Sequence, residues 1–185
     1  MPFPGVARVG RMRIDICRAE DIAVLERFMP SHSVDGSHGV RFARQEAGDS
    51  SYLIPWLDGL PVGHAEVRWT GCEAPEVRAA RPGCPELNGL FVWPASLRSR
   101  GIGTALVRAA EERAVARGTG LMGLGVGDDN PLAARLYERL GYRPTVSYVD
   151  RWAYLDLDGV RQVCADPCVF LVKELSSGPL DVKPA

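Results

Sequence analysis

The sequence predicts an α/β fold in which antiparallel hairpins and one parallel strand pair share a mixed sheet covered by helices. Three observations carry this expectation. Asp58-Gly59 stands between two strand-like runs, Ser51 to Leu57 and Val62 to Thr70, which is a hairpin signal and gives antiparallel neighbours. Leu87 to Val92 and Leu121 to Val126 are apolar runs joined through an amphipathic helix, an arrangement that requires a parallel, right-handed crossover. A chain of 185 residues with 46% hydrophobic content suits one compact domain with a full core.

In chain order, Met1 to Met12 reads as a loose leader, because Pro2, Pro4, Gly5 and Gly10 interrupt any regular element. Arg13 to Arg18 alternates as a first strand. Glu20-Asp21 then precede an amphipathic helix carrying Ile22, Leu25, Phe28 and Met29, which stops at Pro30. Ser31 to Glu46, with Gly36 and Gly39, reads as a polar loop, and the even spacing of His32, Asp35 and His38 matches no metal motif. In the second strand of the hairpin His64, Glu66 and Arg68 share one face, read as wet. Gly71 to Pro85 is a loop punctuated by proline and glycine and long enough to be functional. Glu86 to Val92 forms the next strand, and Trp93-Pro94 ends it because proline donates no ladder hydrogen bond.

The stretch Arg98-Ser99-Arg100-Gly101-Ile102-Gly103-Thr104 then opens a helix that runs from about Gly103 to Arg117, with Gly118 at its end. The first turn of a helix leaves N–H groups without partners and carries the positive end of the macrodipole. Glycines let an anion approach those groups, and arginines add charge, so the turn suits a pyrophosphate. The ending Gly-Lys-Ser/Thr of a nucleotide P-loop is missing, and Leu106 stands where a dinucleotide fingerprint has its third glycine. After Leu121 to Val126 comes Asn130 to Tyr142, a helix with Asn at the N-cap, Pro131 first inside and Gly141 as its stop. Tyr142 to Asp150 and Cys168 to Leu175 read as further strands. Between them, Arg151 to Pro167 contains Trp152, Tyr154 and Asp158-Gly159 and is expected to form a further hairpin near the substrate, and Ser176 to Ala185 reads as a disordered tail.

Two of these segments carry a resemblance. Arg98-x-x-Gly101-x-Gly103 resembles the acyl-CoA pyrophosphate loop of the GNAT family of N-acetyltransferases, Gln/Arg-x-x-Gly-x-Gly/Ala. Asn130 to Tyr142 looks like that family's Asn-x-x-Ala-x-x-Leu-Tyr-x-x-x-Gly-Phe/Tyr segment, in the expected order and with a strand between. The likeness runs from about Arg13 to Leu175. It implies a single acyl-CoA N-acyltransferase domain over residues 13–175, with a mixed, mostly antiparallel central sheet flanked by helices on both faces. Its two parallel strands would splay, so that the pantetheine arm of acetyl-CoA enters as a pseudo-strand. Leu90, Phe91 and Val92 would bind that arm through backbone atoms, and Arg98, Arg100, Gly101, Ile102, Gly103 and Thr104 would hold the pyrophosphate. Asn130 would contact the cofactor arm or act as a plain N-cap.

Direct acyl transfer to an amine needs a base, since an alkylammonium of pKa near 10.4 is neutral in about one part in 2,500 at pH 7, a deficit of roughly 4–5 kcal/mol. Glu86 is the first candidate, with Glu66, His64 or a water chain as rivals. Tyr137 matches the family tyrosine that meets the departing sulfur. Transfer from a phenol of pKa about 10 to a thiolate of about 8.5 runs uphill by about 2 kcal/mol, so a hydrogen bond to the sulfur is expected to count for more than full transfer. The resemblance also gives the Val92 N–H as an oxyanion donor.

A net charge of −1 gives no bulk drive toward nucleic acid or anionic membrane. No apolar run approaches the roughly 20 residues of a membrane span, and no signal peptide is visible. Five irregularly spaced cysteines fit reduced thiols, so a cytoplasmic location is expected. Cys164 and Cys168 would be half a metal site without a second pair, and no metal is expected. The acceptor is a small-molecule or peptide amine of unknown identity. Glu66, Glu73, Glu76 and Glu86 would suit a cationic one if they shared a cleft. A homodimer through the C-terminal strands is plausible by analogy. The alternatives are a transferase using another acyl-CoA and a non-catalytic acyl-CoA-binding or regulatory module.

Overall fold

The computed structural model describes residues 11–34 and 36–176. In chain order the elements are β1 (Met12–Ile16), α1 (Asp21–Phe28), α2 (Ser37–Glu46), β2 (Ser50–Leu57), β3 (Leu60–Pro61), β4 (Gly63–Arg68) and α3 (Pro75–Ala80). There follow β5 (Glu86–Val92), α4 (Ile102–Ala116), β6 (Leu121–Gly127), α5 (Pro131–Arg139), β7 (Arg143–Leu155) and β8 (Arg161–Glu174). The strands lie in one sheet of order β1-β2-β4-β5-β6-β8-β7, with β3 added to β2. Every neighbouring pair is antiparallel except β5 and β6. The sequence-based leader and tail fall almost wholly outside the described residues, although Met12 already belongs to β1.

Strand alternation sorts the core into two faces. Leu53 of β2 and Leu171 of β8 pack with Leu106, Val107, Ala110 and Ala114 of α4 and with Tyr137 of α5. Their neighbours point the other way: Tyr52 and Ile54 meet Leu25 of α1, and Phe170 and Val172 meet Val77 of α3. Each fully buried Leu or Val contributes about 1.5–3 kcal/mol by leaving water. The Asp58-Gly59 hairpin forms as expected, with both residues at positive φ, 51° and 81°.

Three elements differ from the sequence reading. Ser31 to Glu46 is not all loop, because α2 occupies Ser37–Glu46. It is held by polar contacts rather than by an apolar stripe. Gln45 donates to the Cys17 carbonyl and accepts from the Tyr52 N–H, both at 2.8 Å. The long loop after β4 contains α3, opened by Pro75 at its first helical position. The two C-terminal strands are longer than expected and form one continuous hairpin, paired from Arg143↔Val172 out to Leu155↔Arg161.

Candidate functional site

The parallel pair is in register only at Glu86↔Gly123 and Leu87↔Leu124. Beyond Leu87 the strands part. Gly89 sits at φ 60°, and the β4–β5 register shifts between His64 and Glu66, which marks a bulge that bends β5 away from β6. The free edge past the bulge can be followed atom by atom. Trp93 N–H is committed to the Val62 carbonyl at 3.0 Å, and the Phe91 carbonyl faces Gly63 of β4. Alternation therefore turns the Val92 N–H and C=O to the opposite edge, toward β6. The Val92 carbonyl there meets Arg98 Nε at 3.4 Å.

Beside this edge α4 begins. Ser99 and Gly101 both take positive φ, 60° and 87°, and the helix bonds start with Ala105 N–H to the Gly101 carbonyl at 2.9 Å. The N–H groups of Ile102, Gly103 and Thr104 therefore precede the first intrahelical donor and form a concave donor set. A Cβ added to Gly103 would touch only Leu136 and Leu90 side chains, at 3.6 and 3.7 Å.

A cleft of about 980 Å³ opens where β5 and β6 part, and Glu86, Leu90, Asn130 and Tyr137 all line it. Glu86 is 3% exposed, its Oε2 lacks a hydrogen-bond partner, and Arg68 Nη1 stands 3.8 Å away. Burial pushes the Glu86 carboxyl up to about 7, against the opposing pull of Arg68. Tyr137 is 7% exposed, lies edge-on to Tyr142 at 6.1 Å between centroids, and has its phenol raised by burial. The Asn130 side chain caps α5, accepting from Ala133 N–H at 3.2 Å.

Behind Gly89 lies an arginine cluster around a single fully buried carboxylate. Arg44 grips Glu66 with two bonds of 2.8 Å, while Arg68 Nε and Arg41 Nε stand 3.6 and 3.7 Å from it. Burial works against ionising Glu66, but the Arg44 hydrogen bonds and charge, with Arg68, outweigh it and hold the carboxyl below its usual range. A second cavity of about 670 Å³ adjoins the first and is walled by Phe91, Trp93, Trp152, Tyr154 and His64. Burial and the nearby Arg41 charge push His64 down to about 3, so its imidazole is neutral.

Comparison with known proteins decides the family. A model of the Acetyltransferase (GNAT) family matches residues 21–142, about two thirds of the chain. The chain belongs to the GNAT acetyltransferase family. An uncharacterised N-acetyltransferase of Methanocaldococcus jannaschii is 35% identical over 97 residues, which cover 51% of this chain and 39% of that protein. The match thus spans well under half the length of that relative. The GNAT fold is shared by the PaiA N-acetyltransferase of Thermoplasma acidophilum in complex with coenzyme A, at TM-score 0.63 and 16% identity, covering 89% of this chain and 99% of that one. A GNAT acetyltransferase of Elizabethkingia anophelis with acetyl-CoA bound gives 0.57 and 17%, covering 89% and 98%. The ribosomal-protein-S18-alanine N-acetyltransferase of Escherichia coli gives 0.61 and 17%, covering 93% and 99%.

Within this GNAT chain the expected site residues fall into three places. Glu86, Leu90, Asn130 and Tyr137 come together in the cleft, Phe91 faces the aromatic cavity, and Val92 with Arg98 to Thr104 lies at the α4 turn outside both cavities. The face of His64, Glu66 and Arg68 is not wet: Glu66 is 0% exposed because α2 covers it. The expected acidic cleft is only partly assembled. Glu73 and Glu86 line it, Glu66 is committed to arginine, and Glu76 lines neither cavity. His38, weighed as a ligand, is buried between the Tyr52 hydroxyl at 2.5 Å and the Met29 carbonyl at 2.7 Å, while Asp35 lies outside the described residues. Trp152 and Tyr154 fall in the stretch expected to form a hairpin near the substrate, and sequence reasoning missed Arg41, Arg44 and Trp93. The two arginines of the Ser31 to Glu46 segment were the one local signal for the arginine pair.

Proposed function

We propose that the protein is an acetyl-CoA-dependent N-acetyltransferase acting on a primary amine, with residues 13–175 as its single catalytic domain. The observation that carries this reading is the parting of β5 and β6 beside the α4 turn, with Glu86 and Tyr137 on the same cleft. The residues present fit the donor. The Val92 edge offers strand-like N–H and C=O groups to an amide-bearing chain, and Ile102, Gly103 and Thr104 offer free N–H groups to a pyrophosphate. Arg98, Arg100 and Gly101 complete that turn. Acetyl-CoA supplies the activated acyl group; the chain supplies position and proton handling.

Leu90, Phe91 and Val92 align the donor, and Asn130, whose carbonyl oxygen is spent on the cap, keeps its amide N–H for the donor's arm. Glu86, near neutrality and missing a partner on Oε2, takes the ammonium proton. Neither side-chain rival matches it: Glu66 is locked as a counter-ion, and His64 is too weak a base. Tyr137 hydrogen-bonds to the departing sulfur, and the Val92 N–H faces the acyl oxygen. We further propose a cytoplasmic location, which the five free cysteines favour, and a homodimer through the exposed Leu157, Val160 and Val163 of the β7–β8 hairpin. Release of CoA thiol from acetyl-CoA, followed across a panel of primary amines, tests the activity. Amine-dependent release supports it, and acetyl-CoA binding without any release would favour the non-catalytic module.

A further inference from the structure

Arg41 is the residue that the reaction as described leaves unexplained. Its side chain is 19% exposed, yet its Nε is buried without a hydrogen-bond partner, and Nη1 makes one long bond, 3.3 Å, to the Ser37 carbonyl. A buried guanidinium with five donors is normally satisfied. The nearest carboxylate cannot serve it, because Arg44 already holds both Glu66 oxygens and Arg41 Nε stays 3.7 Å away. Arg68 is also at Glu66 but has Glu86 at 3.8 Å as a second carboxylate, so Arg41 alone of the three arginines has near it only Glu66, committed to Arg44. Arg41 is therefore a largely buried guanidinium without a hydrogen-bonded carboxylate, which calls for an anion.

Position says where that anion would come from. Arg41 lies across the bare backbone of Gly89, where a Cβ would come within 2.9 Å of Nη2. It lines both the β5–β6 cleft and the aromatic cavity, as do Gly89, Leu90 and Trp152. The two spaces thus meet at Arg41. In the cavity beyond, Phe91 and Trp93 stack at 6.2 Å and Trp152 and Tyr154 at 5.4 Å, and both tryptophans are substantially exposed. Such a wall takes an apolar or aromatic group. A cation is disfavoured there, since no Asp or Glu is found among the described residues lining this cavity and Arg41 would repel it.

On the acetyltransferase reading above, we propose that the acceptor is a free α-amino acid with a bulky apolar or aromatic side chain. Its carboxylate pairs with Arg41, its side chain fills the aromatic cavity, and its amine turns into the cleft toward Glu86. One tetrahedral carbon carries all three groups, which matches a single cationic residue at the junction of two spaces. The acceptor set is thereby narrowed from any primary amine to one bearing a carboxylate on the same carbon.

The test compares L-phenylalanine with phenethylamine, which lacks only the carboxylate, by calorimetric titration into the full chain saturated with CoA. The expected result is that L-phenylalanine binds at least about 30-fold tighter, the factor appropriate to a charged hydrogen-bonded pair. Arg41→Met is expected to bring the ratio within about threefold, and Arg41→Lys to restore part of it. Equal affinities, tighter phenethylamine, no binding of either compound, or an unchanged ratio in Arg41→Met would each overturn the inference. The wild-type ratio decides even if the variants fold poorly. CoA affinity on the same samples reports separately on the underlying reading: CoA binding without preference for phenylalanine overturns the amino-acid inference alone, and failure to bind CoA overturns both.

Discussion

Arg44 and Glu66 are joined by two parallel hydrogen bonds, Nε to Oε1 and Nη2 to Oε2, each 2.8 Å long, across the interface between α2 and β4. This pair fastens α2 to the central sheet, because Glu66 is fully buried and α2 has little apolar surface to bury instead. Glu66→Gln leaves the surrounding guanidinium groups without a counter-charge and is expected to destabilise the fold by about 3–5 kcal/mol in urea unfolding at pH 7.5.

The pH dependence of the same pair has a definite sign. The folded carboxyl is held below the ordinary glutamate value of 4.5, so its stabilisation is complete above that value and is lost as pH falls through the folded one. The stability gap between wild type and Glu66→Gln should therefore narrow on acidification from pH 6 to pH 3.5. A constant gap would remove Glu66 from the ionised pair.

Glu86 behaves in the opposite way. Its carboxyl stands at about 7 when folded and 4.5 when free, so the native state keeps a proton that the unfolded chain gives up between those values. Folding is penalised as pH rises through that window, by at most about 3 kcal/mol. Glu86→Gln is expected to gain stability over wild type at pH 8 and little at pH 4.5. The same substitution should lower kcat/KM by about 100-fold or more and abolish the acid limb of the rate profile near pH 7. Full activity in Glu86→Gln would reassign the base to a water chain.

Tyr137→Phe removes the hydroxyl proposed to hydrogen-bond the departing sulfur while keeping the ring packed against Tyr142. Turnover is expected to fall by about tenfold to a hundredfold with acetyl-CoA affinity nearly intact. Unchanged turnover would leave Tyr137 as a packing residue.

Gly63 of β4 pairs with Val92 of β5, and a Cβ there would come within 2.2 Å of the Phe91 carbonyl oxygen, a backbone atom that cannot swing aside. Gly63→Ala is expected to cost about 2–3 kcal/mol and to lower Tm by roughly 5–10 °C. It should also weaken acetyl-CoA binding, since the next residue along the free edge is Val92.

The half of the molecule from β5 to α5 was legible because its signals are local. Asn130-Pro131 and Gly141 bracket α5, the two glycines open α4, and the apolar runs on either side fix the crossover. What escaped is set by distant partners. Helix α2 contains Gly39 and fully buries only His38, and its reason to be a helix is Glu66 on another element. Glu86 was singled out as a base from its place at the start of β5, but its burial depends on Arg68 of β4, on Cys72 after it and on Tyr148 of β7, which no local signal gives. The β7–β8 hairpin exposes residues on both faces toward its tip, so alternation is weak there; Asp158-Gly159 with Trp152 and Tyr154 announced a hairpin near the substrate, but not the length of its strands or the stacking of the two rings. Pro75 was a readable helix start that the length of its loop concealed.

The central claim is that the α4 turn and the parted β5–β6 edge bind acetyl-CoA. Its most direct test is the thermal shift of the purified protein with acetyl-CoA at about one hundred times its dissociation constant, beside Gly103→Glu, whose carboxylate would occupy the turn. Wild type should gain roughly 2.7 kcal/mol, or about 5–10 °C, while the variant folds but does not shift. No shift in wild type, or an equal shift in Gly103→Glu, would contradict the claim.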